Sequence, residues 1–330
     1  HIDIDLLGTR MDDLTVTLDQ VSLRNATIAI VDKVADTTYA VEKLNVSAGL
    51  GFANNIVTLR TLDGGMVILD DVEVDFDGRN TTMNLDGGAF AIEDANATAL
   101  GNSFKVTGGI DPDDSKKALR ISSQRVDLAS LGPLYDVFAP GFNDLGITGQ
   151  CAPDISVAWT PQGAYRANGT VGLSNAAWTV ADIPLRDIAG TLDLDATNER
   201  IKVATSDTKG MLRDAPFTMQ LQSGLKDMNA GLETMTVGIF DGTGTLKTEA
   251  KVEGEMPFTT DVKLNGMKVE QIIPALLPDT PSNITGTVTE LGANVSGTLN
   301  ENLMPSIAGK ANMHLSDGLI KDVNIGKEVL

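Results

Sequence analysis

Polar and apolar residues alternate with a period of two along most of the chain, as in Val72-Glu73-Val74-Asp75-Phe76. Successive side chains of a β-strand point to opposite faces, so this alternation predicts strands with one apolar and one polar face. The pattern recurs in six further runs, at residues 14–18, 104–106, 155–159, 192–194, 217–221 and 262–264. The sequence therefore predicts a chain built mostly of β-strands.

Turn signals separate the alternating runs. Asp-Gly and Asn-Gly pairs favour tight hairpins because both residues can adopt positive φ. They occur at Asp63-Gly64-Gly65, Asp77-Gly78, Asp86-Gly87-Gly88, Asp241-Gly242 and Asn265-Gly266. Turns at intervals of about 8 to 12 residues predict on the order of twenty strands. An antiparallel sheet of more than about ten strands has to curl, split or close, so we predict an elongated, curved antiparallel sheet.

Two segments have the apolar spacing of short amphipathic helices. The first covers residues 126–138, and Pro140 follows it as a stop signal. The second covers 267–277 and contains Pro274, which predicts a kink or a short helix. A third candidate helix begins at Val323. We expect the apolar faces of these helices to cap an open end of the sheet rather than to contact a membrane.

One phrase occurs three times, at residues 21–28, 171–178 and 313–320. Each copy reads apolar-x-apolar-x-(Asn/Asp)-small-x-apolar, with Asn25, Asn175 and Asp317 at the fifth position. The first two copies also share a sequel, at residues 39–44 and 183–188. Repetition at spacings of about 150 and 140 residues predicts one strand-turn-strand unit that is used more than once.

A second pattern also repeats, in the order strand, short helix, Pro-containing loop and new strand. In this pattern Val126-Asp127 matches Val269-Glu270, and Ile147-Thr148-Gly149 matches Ile284-Thr285-Gly286. We therefore divide the chain into three modules within one continuous elongated body. These are an N-terminal β-module at residues 1–125, a second β-module that begins with a short helix at 126–268, and a partial third module at 269–330.

Composition excludes some functions. The formal net charge is −20, whereas nucleic-acid binding requires a basic face, so we expect no nucleic-acid partner. The acidic surface favours solubility and self-repulsion. Apolar residues make up 42% of the chain but aromatic residues only 4%, so the apolar surface is mainly aliphatic. Such a surface suits contact with hydrocarbon.

The sequence shows no catalytic or metal-binding constellation. Cys151 is the single cysteine, and His1 and His314 are the only histidines, so we predict no disulfide, no metal site and no cofactor. Adjacent carboxylates such as Asp70-Asp71 point to opposite faces of a strand, which makes them poor acid–base pairs. We favour plain turn chemistry over calcium binding, and coincidence over glycosylation for the seven Asn-x-Ser/Thr triplets. We expect a protein that is not an enzyme.

Three stretches together resemble the AsmA family of bacterial envelope proteins. They are the strand pair at residues 21–46, the strand-to-helix step at Val126-Asp127-Leu128, and the segment Leu315-Ser316-Asp317-Gly318-Leu319-Ile320 with its continuation to Ile325. The resemblance covers nearly the whole chain through short, degenerate motifs. It implies a periplasmic body held at the inner membrane by an N-terminal helix, which we expect to lie outside the printed sequence. It also implies kinship with TamB and other repeating β-groove proteins of lipid transport and outer-membrane biogenesis.

The family resemblance implies that one apolar face of a curved β-groove carries the acyl chains of phospholipid or another lipid. A curved antiparallel sheet with one aliphatic face offers such a track on physical grounds too. By alternation, we expect thirteen side chains to share this face. They are Val16, Leu18, Ile28, Ile30, Leu44, Val46, Val57, Leu59, Val72, Val74, Phe76, Phe104 and Val106.

Two functions of different classes are compatible with these patterns. In the first, the apolar groove holds or guides acyl chains between membranes and supports envelope biogenesis. In the second, the sheet is a structural or protein-binding scaffold with a closed core. A β-helical enzyme acting on polysaccharide is a more distant third.

Overall fold

The computed structural model describes most of the chain. The described residues are 15–32, 37–68, 72–84, 89–111, 114, 117–134, 143–159, 164–180, 183–226, 229–251, 256–276, 283–298 and 303–320. Nineteen strands of one sheet account for nearly all of them, with a few short helical segments between. The predicted mostly-β, antiparallel fold with few short helices is confirmed.

Ten strands lie in the first 180 residues, and short helical segments lie between the eighth and the ninth of them. They are β1 (Val16–Asp32), β2 (Thr37–Ala53), β3 (Ile56–Ile68), β4 (Val72–Asn84), β5 (Phe90–Ala99), β6 (Asn102–Ile110), β7 (Leu119–Ser122), β8 (Val126–Asp127), β9 (Thr148–Trp159) and β10 (Tyr165–Val180). Each of β1 to β6 pairs antiparallel with the strand that follows it, and β7 pairs with β9.

The remaining nine strands follow the same pattern. They are β11 (Ile183–Thr197), β12 (Arg200–Leu212), β13 (Ala215–Lys226), β14 (Asn229–Ile239), β15 (Gly242–Lys251), β16 (Pro257–Asn265), β17 (Met267–Lys268), β18 (Ile284–Thr298) and β19 (Ala308–Ile320). Consecutive strands from β11 to β16 pair antiparallel, and β18 pairs with β16, β17 and β19.

Contacts divide the chain into two compact units. Unit 1 comprises residues 1–138 and 152–169, and unit 2 comprises residues 139–151 and 170–330. Strands β9 and β10 contribute to both. The three modules predicted from the sequence begin where the short helices begin. The two units are instead defined by contacts between residues, so the two divisions of the chain differ.

The repeated phrase corresponds to a repeated β-bulge. Asn25, Asn175 and Asp317 all have φ near +50°, in the left-handed region that Asn and Asp tolerate best. In the shared sequel, Lys43 and Asp187 also have positive φ. The pairing register shifts at these positions in β1, β2, β11 and β19. A bulge adds one residue to one strand of a pair, so the sequence repeat marks places where strands bend.

The strand–helix–strand repeat is also present, with a corrected register. A 3₁₀ helix at Leu128–Leu131 follows β8, and helix α1 (Val269–Leu276) follows β17. Val126-Asp127 and Met267-Lys268 are both short strands that lead into a helical segment. Val126 therefore corresponds to Met267, and not to Val269 as the sequence pattern predicted. The reason is backbone pairing, since Met267 and Lys268 pair with β18. A final helical turn, α2, spans Leu303–Ser306, while residues 135–138 and 323–330 lie outside the described residues.

Two of the predicted turns are wrong. Asp63-Gly64-Gly65 lies inside β3 and Asp77-Gly78 lies inside β4. These glycines serve close packing instead. A Cβ on Gly64 would come within 2.1 Å of the Asn45 carbonyl oxygen, and a Cβ on Gly78 would lie 3.2 Å from the Ala95 Cβ. The predicted turns at Asp241 and Gly266 do separate strands, and Asp86-Gly87-Gly88 lies outside the described residues.

Candidate functional site

Unit 1 has one continuous apolar face. Residues that pair directly across an antiparallel sheet lie on the same face, so the register traces rows of side chains from strand to strand. The longest row crosses eight strands: Val21, Ala48, Leu62, Gly78, Ala95, Val106, Ile121 and Ile155. Its neighbour crosses six: Leu23, Val46, Gly64, Phe76, Ala97 and Phe104. We call this surface the apolar face of unit 1.

The opposite face of unit 1 is polar. The row between the two apolar rows consists of Ser22, Ser47, Asp63, Asp77, Asn96, Lys105, Ser122 and Asp154. Every member is polar or charged. Because adjacent rows point to opposite sides, this alternation gives the two faces different chemistry along these rows.

The register joins eleven of the thirteen residues predicted from alternation to these rows or to neighbouring rows on the same face. Val16 is in the row of Phe52, Val57, Met83, Phe90 and Ile110. Leu18 pairs with Leu50 of β2, which in turn pairs with Leu59 of β3. Val72 and Val74 pair with Ile68 and Met66, and Leu44 pairs with Ala26. Val46, Phe76, Phe104 and Val106 belong to the two rows above. Ile28 and Ile30 pair with Val41 and Tyr39, but their side chains are outside the described part.

The apolar face is only partly covered. Val72 and Val74 are buried, at 3% and 8% exposure, and Leu44 is buried too. Val16, Val46, Val57, Leu59, Phe76, Phe104 and Val106 are half-buried, and Leu18 is 38% exposed. A sealed protein core buries its side chains almost completely. Among the described side chains larger than alanine, only Ile188, Val126 and Thr208 have less than 2% of their surface exposed.

Unit 2 repeats this arrangement, which our residue list from the sequence omitted. One row runs from β12 to β19 through Thr205, Leu221, Met235, Leu246, Val262, Ala293 and Ala311. A second contains Thr208, Met219, Val237, Gly244, Leu264, Leu291 and Met313. The alternation at 217–221 and 262–264 was the available signal, since it has the same period as in unit 1.

Helix α1 closes one end of the apolar face of unit 2. Val269 and Ala275 are buried, as are the neighbouring Met267 and Val288. The Arg213 Nε, in the turn between β12 and β13, donates to the Ala275 carbonyl oxygen at 2.8 Å. Toward the start of the helix, the Lys268 Nζ lies 2.8 Å from an Asp241 carboxylate oxygen. The helix therefore caps the strand ends, as expected from its apolar face.

A pocket of about 590 Å³ lies between α1 and the strand turns beside it. Its apolar lining includes Ile239, Phe240 and Pro274, and its rim carries Arg213 and Asp241. Lys268 donates to Asp241 and thereby lowers the pKa of that carboxyl group, and the carboxylates of Asp214 and Glu270 also line the pocket.

Charges lie on the polar face and at the strand ends, not on the apolar rows. Arg120 of β7 makes a two-point ion pair with Asp154 of β9, with 2.6 Å between the Arg120 Nε and one carboxylate oxygen. The hydrogen bond from Arg120 lowers the pKa of Asp154. Some hydroxyl groups on the apolar faces pair with each other, Thr205 with Thr208 at 2.7 Å and Thr248 with Thr260 at 2.9 Å, whereas within the described part the buried Thr81 Oγ1 has no hydrogen-bond partner. The rows therefore offer an aliphatic surface without ionised groups.

The residues considered for other chemistry lie apart. Cys151 is buried, and burial raises the pKa of its thiol, which keeps it protonated and inert. His314 is exposed on β19, where it pairs with Glu290. Within the described ranges, no three His, Cys, Asp or Glu side chains are grouped to hold a metal ion. The described part also contains no helix with the length and hydropathy to cross a membrane.

Comparison with family models, curated proteins and solved structures gave no match to this chain.

Proposed function

We propose that the apolar faces hold and guide the acyl chains of phospholipid or a similar lipid. The observation that carries this proposal is an aliphatic face that continues in register across up to eight strands and is left half-exposed. Burial of hydrocarbon on such a surface is favourable by about 0.8 kcal/mol per CH₂ group. No ionised group on the rows opposes it.

The biological setting is proposed on the resemblance to the AsmA family. In that setting the chain is a periplasmic, non-enzymatic protein of the bacterial cell envelope, anchored at the inner membrane and active in outer-membrane biogenesis. The repeated strand modules support this reading, because repetition lengthens an apolar surface without changing its chemistry. Lipid, and the membrane that supplies it, are the partners that this function requires.

The competing proposal is a scaffold whose interior is closed. Met267 and Val288, beside α1, and Ile188, in β11, favour it locally, since their side chains are buried like those of an ordinary core. The two functions differ in what an added charge does. On an open lipid track, a carboxylate repels hydrocarbon and leaves the fold intact, whereas in a closed core it unfolds the protein.

The test places a carboxylate on each face of one strand. Val106→Asp changes a half-buried residue in the eight-strand row, and Ser103→Asp changes an exposed residue on the polar face of the same strand, β6. Purified proteins are incubated with phosphatidylglycerol vesicles, and bound lipid is quantified by native mass spectrometry. Circular dichroism reports whether each variant folds.

Lipid transport predicts that wild type and Ser103→Asp capture lipid equally, while folded Val106→Asp captures about tenfold less, because an unpaired carboxylate in an apolar environment is costly. If Val106→Asp does not fold, that result supports the closed scaffold, and Val106→Thr, with a smaller expected loss of bound lipid, tests whether any wild-type binding depends on this row. A wild-type protein that captures no lipid would refute the proposal.

A further inference from the structure

A hollow lies over the row of unit 2 that contains Lys247, Asp261, Asn294 and Lys310. It has a volume of about 770 Å³ and opens over strands β14, β15, β16, β18 and β19. We call it the lysine hollow. It is defined by Lys247, Lys263 and Lys310 around Gly292, and its lining also includes Thr234, Thr245, Leu246, Asp261, Val262, Ala293, Asn294 and Asn312.

The register explains why the three lysines converge. Lys247, Asp261, Asn294 and Lys310 form one cross-strand row over β15, β16, β18 and β19. Lys263 belongs to the next row, where it pairs with Gly292. A Cβ on Gly292 would meet nothing within 4 Å, so the centre of the hollow is open. Lysine side chains are long enough to reach toward this centre from three strands.

The charge of the hollow is unusual for this protein. The whole chain carries a net charge of −20, yet the lining has three lysines and one carboxylate, Asp261. The Asp261 Oδ1 already accepts a hydrogen bond from the Asn294 Nδ2 at 2.8 Å. Within the described part of the chain, none of the three lysines forms an ion pair or a side-chain hydrogen bond.

Several other Arg and Lys side chains of this chain form ion pairs. Arg60, Lys105, Lys117, Arg120, Arg186, Arg200 and Lys268 all have carboxylate partners within 4.0 Å. Three unpaired ammonium groups around one hollow therefore leave positive charge available to a ligand. Glu249 and Glu290 flank the hollow on the same face. Their negative charge repels any anion, so binding requires close contact with more than one of the three lysines, which a group with two or more negative charges can make.

We propose that the lysine hollow binds a phosphate-bearing anion that carries two or more negative charges, such as a diphosphate group. Lysine binds phosphate as a mobile point charge, and the Thr245 hydroxyl and Asn312 amide add hydrogen-bond donors. The volume suits a small molecule or a lipid headgroup. Because the three lysines belong to polar rows, this ligand is distinct from the acyl chains proposed for the apolar face.

Two probes test this proposal and identify the source of the phosphate. Inorganic pyrophosphate, measured by isothermal titration calorimetry, represents a soluble ligand. Vesicles of phosphatidylcholine with and without phosphatidic acid, measured by flotation, represent a lipid headgroup. The test variant is Lys247→Gln with Lys263→Gln and Lys310→Gln. The matched control, Lys202→Gln with Lys209→Gln and Lys226→Gln, removes the same charge from exposed positions elsewhere in unit 2.

We expect at least one probe to bind to wild type and to the control with similar affinity. The same probe should bind at least tenfold more weakly to the test variant, and its binding to wild type should weaken as salt rises. Pyrophosphate binding assigns the site to a soluble ligand, and binding of the anionic vesicles alone assigns it to a headgroup. If the test variant loses its circular dichroism, Lys263→Gln alone replaces it. The proposal would be overturned if neither probe binds, or if the control variant loses as much binding as the test variant.

Discussion

Single residues with unusual backbone geometry explain the most visible sequence repeat. Asn25, Asn175 and Asp317 share positive φ, and a glycine faces two of these bulges. A Cβ on Gly149 would lie 2.4 Å from the Asn175 carbonyl oxygen, and a Cβ on Gly286 would lie 3.0 Å from that of Ser316. The repeated letters therefore record a backbone requirement of a bent strand and not a ligand contact.

Replacing the bulge residue Asn175 with valine tests this explanation. A β-branched residue is strained at φ near +50°, so we expect Asn175→Val to lower the free energy of unfolding by about 1–3 kcal/mol. The control is Ser174→Val on the same strand, where extended geometry suits valine and we expect little change. Urea denaturation of both variants provides the measurement. Equal stability of the two variants would contradict a backbone role for Asn175.

The glycines inside strands show where residue-level prediction from sequence failed. Asp-Gly is a strong hairpin signal because glycine permits positive φ. At Gly64 and Gly78 the chain uses glycine for a different property, the absence of a side chain where strands approach closely. Local sequence does not distinguish these two uses, because the clash that excludes a side chain comes from residues on neighbouring strands.

At the scale of elements, period-two alternation predicted the strands and their faces well. The helical apolar spacing predicted the helix boundaries less well. Period two is imposed along a strand by the different environments of its two faces, so it is visible in sequence. The start of α1 was misplaced by two residues because Met267 and Lys268 pair with β18, a contact between distant segments. The apolar rows of unit 2 were visible as alternation, but their alignment into one face depends on register that only the structure supplies.

Arg213 should hold the end of helix α1 on the sheet. It donates to the carbonyl oxygen of Ala275, and Pro274 leaves the helix without one backbone N–H group. We expect Arg213→Met to increase amide hydrogen exchange across residues 269–276 without unfolding the strands. Arg200→Met, which removes an ion pair with Asp195, is the control. Unchanged exchange in the helix would show that packing alone holds it.

The ion pair between β7 and β9 predicts a pH dependence of stability. Arg120 lowers the pKa of Asp154 in the folded protein, so this carboxylate contributes stability that is present above its unfolded pKa of about 3.9. That contribution is lost as pH falls through the lower folded value. We expect Asp154→Asn to be slightly less stable than wild type at pH 7, and only slightly because the pair is exposed. This difference should shrink as pH falls below the unfolded pKa and vanish once pH is below the lower folded pKa.

Urea denaturation at several pH values measures this difference. Gln150→Asn, a change of an uncharged side chain on the same strand, serves as the control and should show no pH-dependent difference from wild type. A gap between Asp154→Asn and wild type that widens as pH falls would contradict the direction of the pKa shift.

At the scale of the molecule, the apolar faces and the polar faces are expected to respond to different variables. Hydrophobic contact depends on the buried hydrocarbon and is little affected by screening, whereas contact with the lysine hollow weakens with salt. Each added CH₂ group on a bound chain contributes about 0.8 kcal/mol, or roughly a fourfold gain in affinity. If the apolar faces bind acyl chains, affinity for lysophospholipids should therefore rise by about this factor per carbon from eight to twelve carbons.

The measurement is calorimetric titration with monomeric lysophospholipids of each length, at low and high salt. We expect the chain-length dependence to persist at high salt in wild type and in the lysine triple variant, because neither condition alters the aliphatic rows. Val106→Asp should flatten the dependence, since a carboxylate interrupts the longest row. An affinity that does not change with chain length would mean that the aliphatic rows do not bind the hydrocarbon, and the half-exposed face would then need a protein partner to cover it.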